Sequence, residues 1–160
     1  MKVVCNSSTL IALTRIGRLD ILKKGTGSLI IPQAVYDELV IKGKSRPGAS
    51  DIESAEWIVK IEVSGRETVE RYHSVLELGE SEAIALAREI QADLIILDDE
   101  KARRMALSEG LKVSGLLAFL IQEKEKNNIE RLKPLLDQLR LKSFFLSEDL
   151  YYHILRKAGE

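Results

Sequence analysis

Two adjacent carboxylates, Asp98 and Asp99, end the aliphatic run "LIIL", and a basic stretch with Lys101, Arg103 and Arg104 follows them. Like charges side by side repel unless they are solvated, protonated or bridged by a cation. Two further acids stand at suggestive positions. Glu38 borders the apolar stripe of "PQAVYDELVIKG", and Glu82 lies at the start of "SEAIALAREI". Asn6 follows "KVVC" as Asp98 follows "DLIIL". The chain has one cysteine and two well-separated histidines, His73 and His153, so softer metals lack ligands. Oxygen donors alone suit Mg²⁺ or Mn²⁺. A hard cation held this way can activate water and neutralise charge that develops on a phosphate during hydrolysis.

Each acid alone also has a plain structural reading. Asp99 can cap a helix over "EKARRMAL". Glu80 and Glu82 can sit near a helix N-terminus and oppose its dipole. Glu38 can pair with Lys42 one turn on. Their joint placement in the chain is what favours a metal site over four unrelated helix ends.

The elements that position these residues alternate. Strands are expected at "KVVC", "SLII", "EWIVKIEV" (an edge strand), "DLIIL" and "LKVSG". Helices are expected over "NSSTLIALTRIG", capped by Ser7, Ser8 or Thr9 and stopped by Gly17, then over "PQAVYDELVIKG", "RETVERYHSVLELG", "ESEAIALAREIQA" and "DEKARRMALSEG". The segment "KSRPGAS" reads as a loop, and residues 116–160 as about three helices. Several of the strand runs are uniformly aliphatic rather than alternating with polar residues. That argues for a parallel sheet covered on both faces, a three-layer α/β/α sandwich with four or five strands. Ligands bind such sheets beyond the carboxyl ends of the strands, where Asn6, Asp98 and Asp99 fall.

The length of 160 residues fits one domain, 1–160, with 116–160 as its helical C-terminal part. Hydrophobic residues at 45% permit a sizeable core, and aromatics at 5% make it a mainly aliphatic one. The net charge of −1 excludes no nucleic-acid partner, because local patches decide that. A lone Cys5 excludes an internal disulfide and suits a reducing cytoplasm. No signal-like apolar core opens the chain, and the longest apolar run, "GLLAFLI", is too short to span a bilayer. A cytoplasmic protein with no membrane partner is expected.

The stretches "VVCNSSTLIAL", "IIPQAVYDELV", "LGESEAIALARE" and "LIILDDEKARRMALSEGLKVSGLLAFL" resemble the PIN-domain family of metal-dependent ribonucleases, which includes the VapC toxins, and the last two, in this order and spacing, are the specific part. The resemblance covers most of the chain. The endings "GLL" and "AGE" are similar to a branch of PIN-like proteins without assigned function. The resemblance implies a PIN-like parallel sheet sandwiched by helices. Glu38, Glu82 and Asp99 would match the family's acids for Mg²⁺ or Mn²⁺, with Asp98 beside them. The family's first acid normally ends the first strand, where this chain has Asn6. An amide oxygen can ligate a hard cation, but it brings no negative charge and cannot act as a base.

RNA is then the expected partner, with a small antitoxin protein and a second copy of the chain as further partners. Ser7 and Ser8, at a helix N-terminus, could bind a phosphate. Lys44, Arg46 and Arg103 could hold the backbone. With few exposed aromatics expected, backbone contact is favoured over base stacking. In this reading Asp99, Glu82, Glu38 and Asn6 form the catalytic set. A PIN-like nucleic-acid-binding protein that has lost catalysis is the alternative, and Asn6 is the residue that favours it. A phosphoacceptor receiver domain fits less well, because no acceptor Asp follows "SLII".

Overall fold

The computed structural model describes residues 1–160. Five short strands form one parallel sheet in the order β3-β2-β1-β4-β5. They are β1 (Val3–Cys5), β2 (Leu29–Pro32), β3 (Ile58–Ile61), β4 (Leu94–Ile96) and β5 (Val113–Ser114). Side chains alternate across a strand, and in β1 and β4 both faces are dry, whereas the edge strand β3 is half-buried or exposed throughout. Val3, Cys5, Leu29, Ile31, Leu94 and Ile96 enter one core cluster, whereas Val4, Ile95 and Leu97 enter the other. This two-sided burial is why the strands read as unbroken aliphatic runs.

On the first face lie α1 (Ser7–Arg15), α2 (Asp20–Thr26) and the C-terminal helices α8 (Leu116–Glu125), α9 (Lys133–Leu141) and α10 (Glu148–Lys157). The helix α3 (Gln33–Tyr36) and the short α4 (Ala49–Glu53) also join this side. On the second face lie α5 (Arg66–His73), α6 (Leu78–Glu89) and α7 (Glu100–Ser108). The expected three-layer α/β/α sandwich with a parallel sheet is therefore present, with five strands. No helix is long and apolar enough to cross a membrane.

Several local details depart from the sequence expectations, and one is α4, which begins at Ala49 within the expected loop "KSRPGAS". The short helix α2 occupies "DILKKGT", ahead of β2. The helix expected over residues 32–43 is α only as far as Tyr36, and Asp37–Ile41 is a π-helical turn. Such a turn holds an extra residue and re-aims the side chains on it. The first helix starts at Ser7 with Asn6 in the cap position, so none of Ser7, Ser8 and Thr9 precedes it. Ser8 instead donates its hydroxyl to Asn6 Oδ1 at 3.1 Å.

Candidate active site

The register Cys5↔Ile96 brings the ends of β1 and β4 level. Asn6, one residue past β1, and Asp98, two residues past β4, both reach the carboxyl edge of the sheet. A cleft of about 350 Å³ opens there, lined by Asn6, Ser7, Ser8, Ile11, Glu38, Glu77, Gly79, Glu80, Asp98 and Asp99. Five of these residues are acidic and none is basic.

Each side chain is held by a nameable contact. Asp98 is gripped at both oxygens: Oδ1 accepts the Leu116 N–H at 2.9 Å and Oδ2 the Thr9 hydroxyl at 3.2 Å. Gly115 eases this approach, since a Cβ there would stand a tight 3.2 Å from Asp98 Oδ1. Asp99 caps α7, with Oδ2 accepting the Ala102 N–H at 3.0 Å, so the cap reading of this residue holds. Its other oxygen has no such partner. Glu38 accepts the Ser7 hydroxyl at 2.6 Å instead of pairing with Lys42. Asn6 is 5% exposed, and Ser8 fixes its amide oxygen.

Glu82, expected among the metal-binding and catalytic acids, does not line the cleft. It is 4% exposed, and its oxygens accept the Ala34 N–H and the Arg66 guanidinium, both at 2.9 Å. Glu82 satisfies an orphan donor at the start of α3 and is neutralised there. The acid that reaches the cleft from α6 is Glu80. Burial first, then the charge of Asp99, pushes the Glu80 carboxyl above its usual range, and Glu77 and Glu38 add to the push. The Glu77 N–H, at 3.3 Å from Glu80 Oε1, only partly offsets this.

The expected nucleic-acid residues scatter around this cleft. Ser7 and Ser8 line it. Arg46 lines a neighbouring cavity of about 290 Å³ that shares Glu38 and Ile11 with the cleft and also holds Arg15. Arg103 is exposed on α7 and passes close to Gly115, beside Asp98. Lys44 is exposed and lines neither cavity. Cys5 lies directly under the site but is fully buried, and burial pushes its thiol up to about 12, so it is inert there.

The donor chemistry fits a hard divalent cation. Oxygen ligands predominate, and no basic side chain lines the cleft to neutralise the acids. Nowhere in the molecule do three acidic, histidine or cysteine side chains already converge as ready ligands. Mg²⁺ asks for less than that, because it keeps several waters and takes one or two carboxylates.

The family model described as "DUF3368: PIN domain" matches residues 2–160. Among solved structures, the chain is similar to a PilT N-terminus domain protein from the hyperthermophilic archaeon Sulfolobus solfataricus P2. The two share 21% identity and superpose with a TM-score of 0.58, covering 76% of this chain and 92% of that one. At that identity the likeness concerns the fold. No curated protein sequence matches the chain.

Proposed function

The chain belongs to the PIN-domain family, and on that premise we propose that it is a cytoplasmic ribonuclease that hydrolyses RNA phosphodiester bonds with Mg²⁺ or Mn²⁺. The proposal takes residues 1–160 as one unit, with 116–160 completing one face of the core. The observation that carries it is the cleft at the ends of β1 and β4, with five acids and no basic side chain. A fold that gathers such charge without a counter-ion has put the cation's place in the hands of a ligand.

Asp99, Asp98, Glu38 and Glu80 would hold the ion. When bound, it would supply positive charge against the phosphate and lower the cost of attack by water. Asp98 is the fixed point, held by Leu116 and Thr9. Asp99 spends one oxygen on its cap and keeps the other for the cleft. Ser7 orients Glu38, and Ser8 orients the amide of Asn6, which would position rather than deprotonate the attacking water. Arg46 and Arg103 would offset the charge of the RNA backbone. Glu82, held by the Ala34 N–H and Arg66, is left out of the proposed set.

Calorimetric titration with Mn²⁺ tests the cation, and cleavage of single-stranded RNA tests the reaction. Saturable binding that Asp99→Asn weakens, with RNA cleavage that follows it, supports the proposal. An absence of binding in the wild type overturns it. Asn6 favours a second reading, a nucleic-acid-binding PIN protein without turnover. Cleavage that appears only in Asn6→Asp would establish that reading instead. A toxin's role adds one further requirement, a small antitoxin protein that blocks cleavage, and co-expression with the neighbouring gene product tests it. Sedimentation tests a homodimer.

A further inference from the structure

We infer that Phe145 is a stacking platform for an unpaired RNA base next to the acid cleft, with Arg15 and Lys142 holding the adjoining phosphates; this rests on the ribonuclease reading above. The turn between α9 and α10 carries two phenylalanines with opposite fates. Phe144 packs against the core, and its N–H bonds to the Leu139 carbonyl at 2.9 Å. Phe145 is 90% exposed. Leu146, on its other side, is buried. The exposed ring is thus anchored by its neighbours on both sides, and its position is set by the fold.

Single exposed hydrophobic residues need no explanation in general. The surroundings of Phe145 supply one. It lines a groove of about 310 Å³ together with Arg15 and Lys142, and the groove shares Ser8 and Asp98 with the acid cleft. A chain that placed a phosphate over Asp98 would run directly onto this groove. Arg15 and Lys142 are exposed and make no ion pair within the protein. An aromatic face with flanking cations is the arrangement that binds single-stranded nucleic acid, since every unpaired base has a π-face and every linkage a negative charge. A duplex keeps its bases stacked and cannot use the ring. The ring would therefore take one unstacked base of the strand that lies over Asp98. The exposed Leu141 nearby would suit a protein partner as well, but the two unpaired cations favour a polyanion.

The test is binding of a short fluorescein-labelled single-stranded RNA and of its duplex, by anisotropy, in Ca²⁺ with RNA integrity checked on a gel. Phe145 is too exposed for its replacement to unfold the protein. Phe145→Ala should weaken single-strand binding about tenfold. Phe145→Leu, apolar but without an aromatic face, should stay weak, and Phe145→Trp should restore binding. Duplex binding should be the same in all of them. Arg15→Ala and Lys142→Ala should each reduce the log–log salt slope by roughly 0.7. Wild-type binding that Phe145→Ala leaves unchanged overturns the subsite and leaves the ribonuclease reading standing. A dimer that Phe145→Ala dissociates, with RNA binding intact, overturns it in favour of a protein interface. A wild type that binds neither RNA overturns both proposals together.

Discussion

Glu160 and Glu80 are both glutamates near the start of a helix, and the molecule treats them in opposite ways. Glu160 folds back on α9. Its carboxylate accepts the Leu132 N–H at 2.7 Å and the Lys133 N–H at 3.2 Å, and Lys124 Nζ lies 2.7 Å away. Burial pushes its carboxyl up, but Lys124 and the two backbone donors outweigh that and hold it below the usual range. Glu123 follows the same pattern, fully buried yet bonded by Lys126 and Asn128. Glu80 faces Asp99, Glu77 and Glu38 instead, and its carboxyl is raised. The lesson concerns neutralisation. The acids of the C-terminal part meet cationic or amide side chains, whereas the cleft acids meet only backbone N–H groups and hydroxyls and no cationic side chain.

The sharpest way to break this contrast is Asp99→Asn. Asparagine caps a helix about as well as aspartate, so the melting temperature should change little. Mn²⁺ affinity and RNA cleavage should fall by more than about 100-fold. Glu160→Ala should do the reverse. Losing charge-assisted bonds to two backbone donors and Lys124 should cost about 2 kcal/mol, or roughly 4–8 °C in melting temperature, with cleavage unchanged. A stable Glu160→Ala protein would dissolve the comparison.

Acid pH should erase the second effect. The folded carboxyl of Glu160 titrates below its ordinary value of 4.5. Its contribution is complete above that value and is lost as the pH falls through the folded pKa. Urea unfolding should therefore find wild type and Glu160→Gln far apart near neutrality and converging in acid. A gap that persists in acid would mean that shape, not charge, holds this contact. The smallest effect is expected from Glu80→Gln. Removing one repelling charge should raise the metal-free melting temperature by about 1 °C and shrink the stabilisation that Mn²⁺ provides. A drop in metal-free stability would place Glu80 among the satisfied acids.

Much of the sheet was legible in the sequence, because strands buried on both faces write themselves as aliphatic runs. Asn6 at the end of β1 and the acids after β4 were legible for the same reason: a polar residue directly after such a run must lie at the sheet's edge. The choice between Glu80 and Glu82 was not. Two residues along a helix is about 200° of rotation, so the two acids face opposite ways, and the answer depends on where α6 begins. It begins at Leu78, behind Glu77, and that turns Glu82 towards Ala34. The π turn at Asp37–Ile41 left no periodic mark, being one extra residue in an otherwise helical pattern. Nor was the exposure of Phe145 legible, because the sequence does not say which ring of an adjacent pair on a turn faces inward.

The grip of Leu116 on Asp98 has a kinetic side. The cleft draws on Asn6, Glu38, Glu77, Glu80 and Asp98, and its fixed point waits for residue 116. The pairing of β1 with β4 joins Val3 to Leu94, a closure across more than half the chain. Contacts of such long sequence separation form slowly, after the entropy of a large loop has been overcome. During synthesis, residues 1–115 would carry every acid of the cleft but not the backbone donor that fixes Asp98. The cleft would therefore take its final form only after residue 116, beyond the last strand of the sheet, has emerged.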